Sequence, residues 1–263
     1  MSHLRATIRA ITLCAMICAV FALLIVGLAL LFPSRRARIR WRSFIFRRWA
    51  KATAALFKLR ITTFGAPPRA PFFLVANHLS YVDIIVLASQ VDCSFIARND
   101  LSTWPVIGLL CRNVGTIFID RNNRRDIARV TAQVEQTLAE GRSVVLFPEG
   151  TSTKGATVLP FKPGMLELAA RAKLAVSYAA LSYSVPDRET PAHLSICWWG
   201  GMTFRRHLFG LLRLSEINAT LTFGREAIQG GDRKALASQL HAAVKQEFIP
   251  VVKSEEGWSA VIR

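Results

Sequence analysis

The sequence predicts an α/β fold, in which helices cover a mixed sheet, preceded by a membrane helix and an amphipathic interfacial helix. Two observations predict the domain: apolar runs alternate with helical patterns after residue 71, and three of these runs end in polar clusters. A third predicts the membrane elements, because a long apolar stretch near the N-terminus is flanked by basic residues only. The expected organisation is an anchor over 1–34, a basic interfacial helix over 35–64 and a single domain over 65–263.

The charge of the chain is concentrated near its N-terminus. The formal net charge is +17, but residues 1–82 hold 13 Arg and Lys and no Asp or Glu. Residues 83–263 hold 21 basic and 17 acidic residues, so their charges almost balance. A basic excess beside the most apolar stretch indicates an anionic membrane surface as partner, and no nucleic acid.

The apolar stretch is long enough to be a membrane anchor. It contains 25 uncharged residues between Arg9 and Arg35, and a bilayer core takes roughly 20 apolar residues as a helix. No small-residue cleavage pattern precedes Pro33, which favours a retained anchor over a removed signal peptide. More Arg residues follow the stretch than precede it, so the positive-inside rule places the domain in the cytoplasm, on the inner membrane.

The next segment has the pattern of an amphipathic helix in the headgroup region. Apolar residues recur at helical spacing, with Arg and Lys between them; they are Trp41, Ile45, Trp49, Ala52, Leu56 and Leu59. One alternative is an ordinary helix packed on the domain. If the helix also packs against the anchor, the anchor enters one leaflet and returns instead of spanning the bilayer.

Strand and helix patterns alternate through the rest of the chain. The predicted strands are 72–76, 93–97, 115–119, 143–147, 174–182, 194–199 and 219–223. The predicted helices are 80–90, 122–140, 161–172 and 232–248. The five Cys show no paired or metal-ligand spacing, which indicates buried thiols in a reducing compartment and no metal site.

The first polar cluster, in "FFLVANHLSYVD", places His78 at a strand end and Asp83 at the start of a helix. An Asp that hydrogen-bonds to a His fixes its tautomer, and the His then accepts a proton from an alcohol. The alternative for Asp83 is structural, because the spacing from Ser80 to Asp83 also matches a capping box.

Two further strands end in polar clusters, "GTIFIDR" at 115–121 and "LFPEGTST" at 146–153. Together with Asn77-His78-x4-Asp83, they resemble, in order and spacing, three blocks of the lysophosphatidate acyltransferase (1-acylglycerol-3-phosphate O-acyltransferase) family. The resemblance covers about residues 40–200 and implies a glycerolipid-acyltransferase-like domain of the HxxxxD type.

The resemblance implies a reaction and a set of residues. His78 deprotonates the free hydroxyl of a lysolipid, Asp83 orients His78, and the oxygen attacks the thioester of acyl-CoA or acyl carrier protein. Arg121 and the turn of Glu149, Gly150 and Thr151 are expected to bind the head group of the acceptor, since an Arg beside backbone N–H groups suits a phosphate. No cofactor, metal or covalent enzyme intermediate is required.

Departures from the family pattern leave the acceptor open. The third block usually reads Glu-Gly-Thr-Arg-Ser, but here Ser152 stands at the place of the Arg, and Lys154 is the expected substitute charge. Lys162 is either a contact with the head group or carrier, or a solvated loop residue. The expected acceptor is 1-acylglycerol-3-phosphate. The run "GTSTKGATVLPFKPGMLELA" also resembles relatives that acylate lyso-ornithine lipid, which is the alternative.

Two functions of other classes compete with acyl transfer. A non-enzymatic lipid- or nucleic-acid-binding protein accounts for the basic N-terminus but leaves the polar strand ends unexplained. A serine hydrolase often carries a Gly-x-Ser-x-Gly elbow, and this sequence has none.

Overall fold

A computed structural model describes residues 2–104, 107–120 and 124–252. The described strands are β1 (Leu59–Phe64), β2 (Phe73–Ala76), β3 (Cys93–Arg98), β4 (Ile117–Ile119), β5 (Ser143–Leu146), β6 (Val176–Ser184) and β7 (Ile217–Phe223). The described helices are α1 (Ser2–Leu30), α2 (Arg35–Leu56), α3 (Val82–Gln90), α4 (Ile107–Asn113), α5 (Arg124–Ala139), α6 (Glu167–Arg171), α7 (Ala192–Ser195), α8 (Phe204–Arg213) and α9 (Arg233–Glu247). Short 3₁₀ turns lie at Asn99–Thr103 and Pro163–Met165.

The strands form one mixed sheet in the order β1-β7-β6-β2-β5-β3-β4. Strands β6, β2, β5, β3 and β4 are parallel to one another. Strand β7 pairs antiparallel to β6, and β1 pairs parallel to β7. The carboxyl ends of the five parallel strands therefore meet at one edge of the sheet, which is where open α/β folds place their sites.

The central strands are buried on both faces. All four residues of β2 and of β5 are buried, as expected for parallel strands that helices cover on both sides. The α/β prediction is confirmed, and most predicted elements fall within a few residues of the observed ones. The helix predicted over 161–172 divides into the 3₁₀ turn and α6, because a Pro-Gly pair interrupts it at its start.

Two parts of the sequence form different elements from those predicted. The strand predicted over 194–199 is wrong: α7 ends at Ser195 and a loop follows. Ile196 and Cys197 are fully buried, so the apolar run at 194–199 marks a loop packed in the core and not a strand paired in the sheet. The helix predicted over 35–64 ends at Leu56, and residues 59–64 form β1. Lys58 between them has φ +52°, a left-handed conformation that ends the helix.

The helices α1 and α2 pack side by side as a hairpin. Gly27 allows close approach, because a Cβ there would lie 2.0 Å from the indole of Trp41, which donates its Nε1 hydrogen to the Leu23 carbonyl at 3.0 Å. On its other side α2 packs against α3 and the core through Phe46 and Ala50. The buried face of α2 thus differs from the predicted stripe, since Ala52 is exposed.

The helix α1 is long and apolar enough to cross a membrane, by length and composition. Near its N-terminus, however, the buried Arg9 guanidinium donates to the carbonyls of Leu212 (3.1 Å) and Leu214 (2.6 Å) at the end of α8. Beyond its other end, Arg35 forms an ion pair with Glu140, next to α5. The hairpin therefore contacts the α/β domain at both ends of α1.

We predict that Arg9→Met lowers the free energy of unfolding by about 1–3 kcal/mol, because two carbonyls at the end of α8 lose their donor. Thermal unfolding in detergent measures the change. The matched control is Arg5→Met, whose exposed guanidinium donates to a single carbonyl, that of Arg213; it should change stability by no more than about 0.5 kcal/mol. Equal losses in the two variants would contradict a special role for Arg9.

Candidate active site

The candidate site lies at the carboxyl edge of the parallel strands. His78 follows β2, Glu149 follows β5, and Tyr183 is the penultimate residue of β6. Strand β2 lies between β5 and β6, so these three side chains meet although they are far apart in sequence. Asp83 joins them from the first turn of α3.

His78 and Asp83 are in direct contact. The Nδ1 atom of His78 lies 2.8 Å from Oδ2 of Asp83. The Asp83 side chain is fully buried, whereas the His78 side chain is 23% exposed. The imidazole also stacks on the ring of Phe147, with centroids 4.3 Å apart and an angle of 17° between the planes. The ring of His78 is thus held in one orientation and still reaches the surface.

The other partners of Asp83 assign the tautomer of His78. Oδ2 also accepts the backbone N–H of Leu79 at 2.7 Å and of Ser80 at 3.0 Å. Two N–H groups already donate to this oxygen, so it acts as an acceptor toward His78 as well. The hydrogen of the neutral imidazole is therefore on Nδ1. The opposite nitrogen, Nε2, then carries a lone pair and is the atom able to take a proton from a bound hydroxyl.

Asp83 has a structural role as well. Its bond to the Ser80 N–H is the carboxylate half of a capping box. The serine half is missing, because Tyr81 is the N-cap of α3, and the buried Ser80 Oγ has no hydrogen-bond partner among the described residues. The predicted capping role and the predicted contact with His78 therefore exist together, on the same oxygen.

Tyr183 is a partner of Asp83 that the sequence analysis missed. Its buried hydroxyl donates to Asp83 Oδ1 at 2.7 Å. Burial, followed by the negative charge of Asp83, raises the pKa of Tyr183 well above its usual value, so the phenol stays a donor. The one available signal was a Tyr at the end of the apolar run "AALSY", since it follows the same rule of polar residues at strand ends.

Asn77 fixes the loop that carries His78 to the neighbouring strand, β6. Its amide donates to the Leu181 carbonyl at 2.9 Å, and its carbonyl oxygen accepts the Leu181 N–H at 2.7 Å. The side chain is fully buried, and it replaces the backbone pairing that β2 no longer provides beyond Ala76. The residue that precedes His78 is therefore fixed to β6, which limits the positions that His78 can take.

Glu149 holds two loops of the site together. Its Oε1 accepts the backbone N–H of His78 at 2.7 Å, and its Oε2 accepts that of Leu159 at 2.9 Å. Burial, its largest influence, raises the pKa of Glu149 to about 7, although both hydrogen bonds oppose this. Both oxygens have backbone partners, which is the geometry of a residue that positions the loop of His78. Its contact with substrate stays a prediction.

The remaining predicted binding residues surround this turn. Gly150 adopts φ +73°, which favours glycine, and the exposed Thr151 follows it. The Lys154 ammonium lies 6.0 Å over the ring of Trp199, and the exposed Lys162 bonds through its backbone N–H to the Pro148 carbonyl. Arg121 lies outside the described residues, so its role in head-group binding stays a prediction.

The loop that follows α7, from residue 196 onward, packs against the loop that carries His78. The backbone N–H of Trp198 donates to the Leu79 carbonyl at 2.8 Å, and the Ser152 hydroxyl donates to the Trp198 carbonyl. The position where the resemblance implies an Arg is therefore occupied by a neutral hydroxyl that is bonded to this loop. Sequence analysis missed the loop because it predicted a strand there.

Tyr81 ties the loop of His78 to α8. Its hydroxyl lies 3.0 Å from Nδ1 of His207, and His207 Nε2 lies 3.0 Å from the Cys197 carbonyl. A carbonyl only accepts, so Nε2 carries the proton and Tyr81 donates to Nδ1. Burial lowers the pKa of His207, which favours this neutral form.

No group of three or more His, Cys, Asp or Glu is placed to hold a metal ion in the part of the chain that the structure describes. The five Cys are free. Cys93 and Cys197 are buried as predicted and Cys111 is partly buried, but the prediction is wrong for Cys14 and Cys18, which are exposed on α1 because only part of α1 packs against the domain.

We predict that Glu149 makes the protein less stable as pH rises from about 4.5 to about 7. The unfolded chain releases this proton near pH 4.5 and the folded chain only near pH 7, so across this interval the folded state binds more protons and rising pH favours unfolding. The shift corresponds to about 3 kcal/mol. Glu149→Gln should remove this fall in denaturation measurements below, within and above the interval. The exposed Glu226→Gln should keep it, and an unchanged slope in Glu149→Gln would contradict the prediction.

Known proteins resemble this chain in sequence. The family model described as Acyltransferase matches residues 60–184. The lyso-ornithine lipid O-acyltransferase of Rhizobium meliloti (strain 1021) is 32% identical over 221 residues, which cover 79% of this chain and 74% of the relative. The 1-acyl-sn-glycerol-3-phosphate acyltransferase of Neisseria gonorrhoeae is 32% identical over 172 residues, which cover 65% of this chain and 67% of the relative.

A solved structure resembles it in fold. The crystal structure of the 1-acyl-sn-glycerophosphate acyltransferase of Thermotoga maritima aligns with a TM-score of 0.59, covering 92% of this chain and 97% of the other at 19% identity. This likeness confirms the predicted fold, in which an apolar N-terminal helix precedes an α/β domain. Since the relative from Rhizobium meliloti is 32% identical over 74% of its own length, the chain belongs to the lysophosphatidate acyltransferase (1-acylglycerol-3-phosphate O-acyltransferase) family and is a membrane-associated acyltransferase.

Proposed function

We propose that the protein transfers an acyl chain from an acyl thioester to the free hydroxyl of a lysolipid, with His78 as general base. The observation that carries the proposal is the contact between the partly exposed His78 and the buried Asp83 at the carboxyl edge of the sheet. A base held in one tautomer, with its free nitrogen toward solvent, is the arrangement that removes a proton from a hydroxyl.

The reaction proceeds in two proton transfers. His78 Nε2 takes the proton of the acceptor hydroxyl while its oxygen attacks the thioester carbonyl carbon, and Asp83 stabilises the imidazolium that forms. The tetrahedral intermediate then collapses: the C–S bond breaks, an ester forms, and His78 returns the proton to the leaving thiolate. Tyr183 and the two backbone N–H groups keep the carboxylate of Asp83 in place throughout.

The acceptor that we propose is 1-acylglycerol-3-phosphate, with phosphatidic acid as product. Relatives named for this activity support it. Arg121, Lys154, Lys162 and the turn at Glu149–Thr151 are the proposed contacts with the phosphate, because cationic side chains and backbone N–H groups bind such anions. The left-handed conformation of Gly150 gives the backbone a tight turn directly after Glu149, which supports this assignment.

One observation favours a second acceptor, lyso-ornithine lipid. Ser152 replaces the Arg of the family pattern and donates to the Trp198 carbonyl, so this position contributes no positive charge. An amino-acid head group has no phosphate and needs no Arg there. Relatives named as lyso-ornithine lipid O-acyltransferases, at 31–33% identity, support this alternative.

The proposed donor is acyl-CoA or acyl carrier protein, since basic surface suits the phosphates of one and the acidic face of the other. The proposed location is the cytoplasmic side of the inner membrane, at an anionic lipid surface. Exposed basic residues on α2 support it; they are Arg36, Arg40, Arg48 and Lys51. The contacts of Arg9 in α1 and of Arg35 at the start of α2 favour an anchor in one leaflet, because the helical hairpin is bonded to the domain both near its N-terminus and just after its turn.

We predict that His78→Ala lowers kcat by about 10²–10⁴-fold, the usual contribution of a general base. The assay supplies labelled acyl-CoA or acyl carrier protein to purified protein in detergent, with lysophosphatidate and lyso-ornithine lipid offered in parallel. Product from only one acceptor identifies the head group. Activity of His78→Ala equal to wild type, or no product from any lysolipid, would overturn the proposed function.

We also predict that Tyr183→Phe lowers kcat by about tenfold to hundredfold with little change in KM, because a hydrogen bond to a buried carboxylate is lost. The matched control is Tyr178→Phe on the same strand, whose hydroxyl is not bonded to Asp83, and it should keep its activity. Thermal unfolding checks that both variants fold. A loss of stability without any loss of kcat would show that Tyr183 serves only the fold.

A further inference from the structure

A groove of about 750 Å³ runs between α1 and α8, outside the candidate active site. Its volume lies within the range of roughly 300–1,000 Å³ that small-molecule sites occupy. The groove is lined by apolar side chains and by two arginines, which come from the start of α8. The lining residues used in the argument are Ala10, Arg205, Arg206, Leu208, Phe209 and Leu212.

The groove follows from the amphipathic pattern of α8. His207, Leu211 and Leu212 face the domain and are buried, whereas Arg205, Arg206 and Phe209 are exposed. Because α1 packs along α8 only through its first turns, the space between the two helices stays open. The sequence analysis did not predict α8, so the groove has no counterpart in it.

The wall opposite α8 belongs to the most apolar helix of the chain. The rings of His3 and Phe209 lie 6.1 Å apart, and the neighbouring side chains Leu4, Ile8 and Ile11 are 66%, 55% and 65% exposed. Exposed apolar side chains at this density are typical of a surface that contacts lipid. The groove therefore opens beside an exposed apolar surface of the kind that lipid covers.

The two arginines at the end of the groove have no partner among the residues that the structure describes. Among the described residues, neither Arg205 nor Arg206 forms an ion pair or a side-chain hydrogen bond. An Arg guanidinium matches a phosphate oxygen pair through two parallel hydrogen bonds. Two such groups beside an apolar groove complement a molecule with an anionic phosphate and a hydrocarbon chain.

We propose that this groove binds one anionic phospholipid of the bilayer. Its phosphate contacts Arg205 and Arg206, and one acyl chain lies along Ala10, Leu208 and Phe209. At the start of α8, the ring of Phe204 lies 5.2 Å from that of Tyr81, so the bound lipid anchors the helix that holds the loop of His78. This proposal concerns a lipid that is not consumed, and it does not depend on acyl transfer.

The test counts lipids bound to the full-length protein in detergent by native mass spectrometry, with phosphatidylglycerol as probe and phosphatidylcholine as the neutral comparison. No acyl donor is present, so the result is independent of the proposed reaction. Wild type should retain one phosphatidylglycerol more tightly than phosphatidylcholine. Arg205→Gln with Arg206→Gln should weaken that binding by about tenfold to hundredfold, since hydrogen bonds to a charged group are lost.

Three further variants decide between this groove and general electrostatic attraction. Arg225→Gln with Lys234→Gln removes the same charge from exposed positions beyond the end of β7 and should leave binding unchanged. Arg205→Lys with Arg206→Lys keeps the charge but loses the paired guanidinium hydrogen bonds, so it should weaken binding less than the glutamine pair does. Phe209→Gln should weaken both lipids severalfold, because the chain loses apolar contact. Equal loss in the distant pair, or full binding by the Arg205 and Arg206 glutamine variant, would overturn the proposal.

Discussion

The carboxylate of Asp83 is the interaction on which the candidate site depends. It is fully buried and accepts four hydrogen bonds, from His78, from the backbone of Leu79 and Ser80, and from Tyr183. A buried carboxylate without such partners is costly, so the loop between β2 and α3 has few alternative conformations. The same bonds that start the helix also orient the imidazole, which makes helix capping and proposed catalysis inseparable here.

The direction of the strands explains why residues 71 and 100 positions apart in the sequence are hydrogen-bonded, Glu149 to the backbone of His78 and Tyr183 to Asp83. Strands β2, β5 and β6 are parallel, so their carboxyl ends lie side by side and present His78, Glu149 and Tyr183 to one another. Glu149 then joins the two neighbouring loops through their backbone N–H groups. A long connection is needed between parallel strands, which is why the partners of one site are dispersed along the chain.

The N-terminal helices are connected to the candidate site by a series of direct contacts. Arg9 of α1 bonds to the end of α8, His207 of α8 bonds to Tyr81, and Tyr81 lies in the loop that carries His78. The long apolar helix α1 is thus linked by direct contacts to the proposed general base. Under the proposed function, this arrangement would hold the site at the membrane surface, where a lysolipid acceptor dissolves.

The sequence alone determined the α/β class, the apolar N-terminal helix and the contact between His78 and Asp83. These depend on local periodicity and on neighbours five residues apart, which a linear pattern records. It did not determine that Tyr183 reaches Asp83, that Glu149 bonds to backbone on both oxygens, or that 59–64 pairs with β7. Nor did it reveal α8 and its groove, or the loop at Trp198 that binds Ser152. Only the tertiary structure decides these contacts, because they depend on which strands become neighbours, and burial among distant residues overrides local preference.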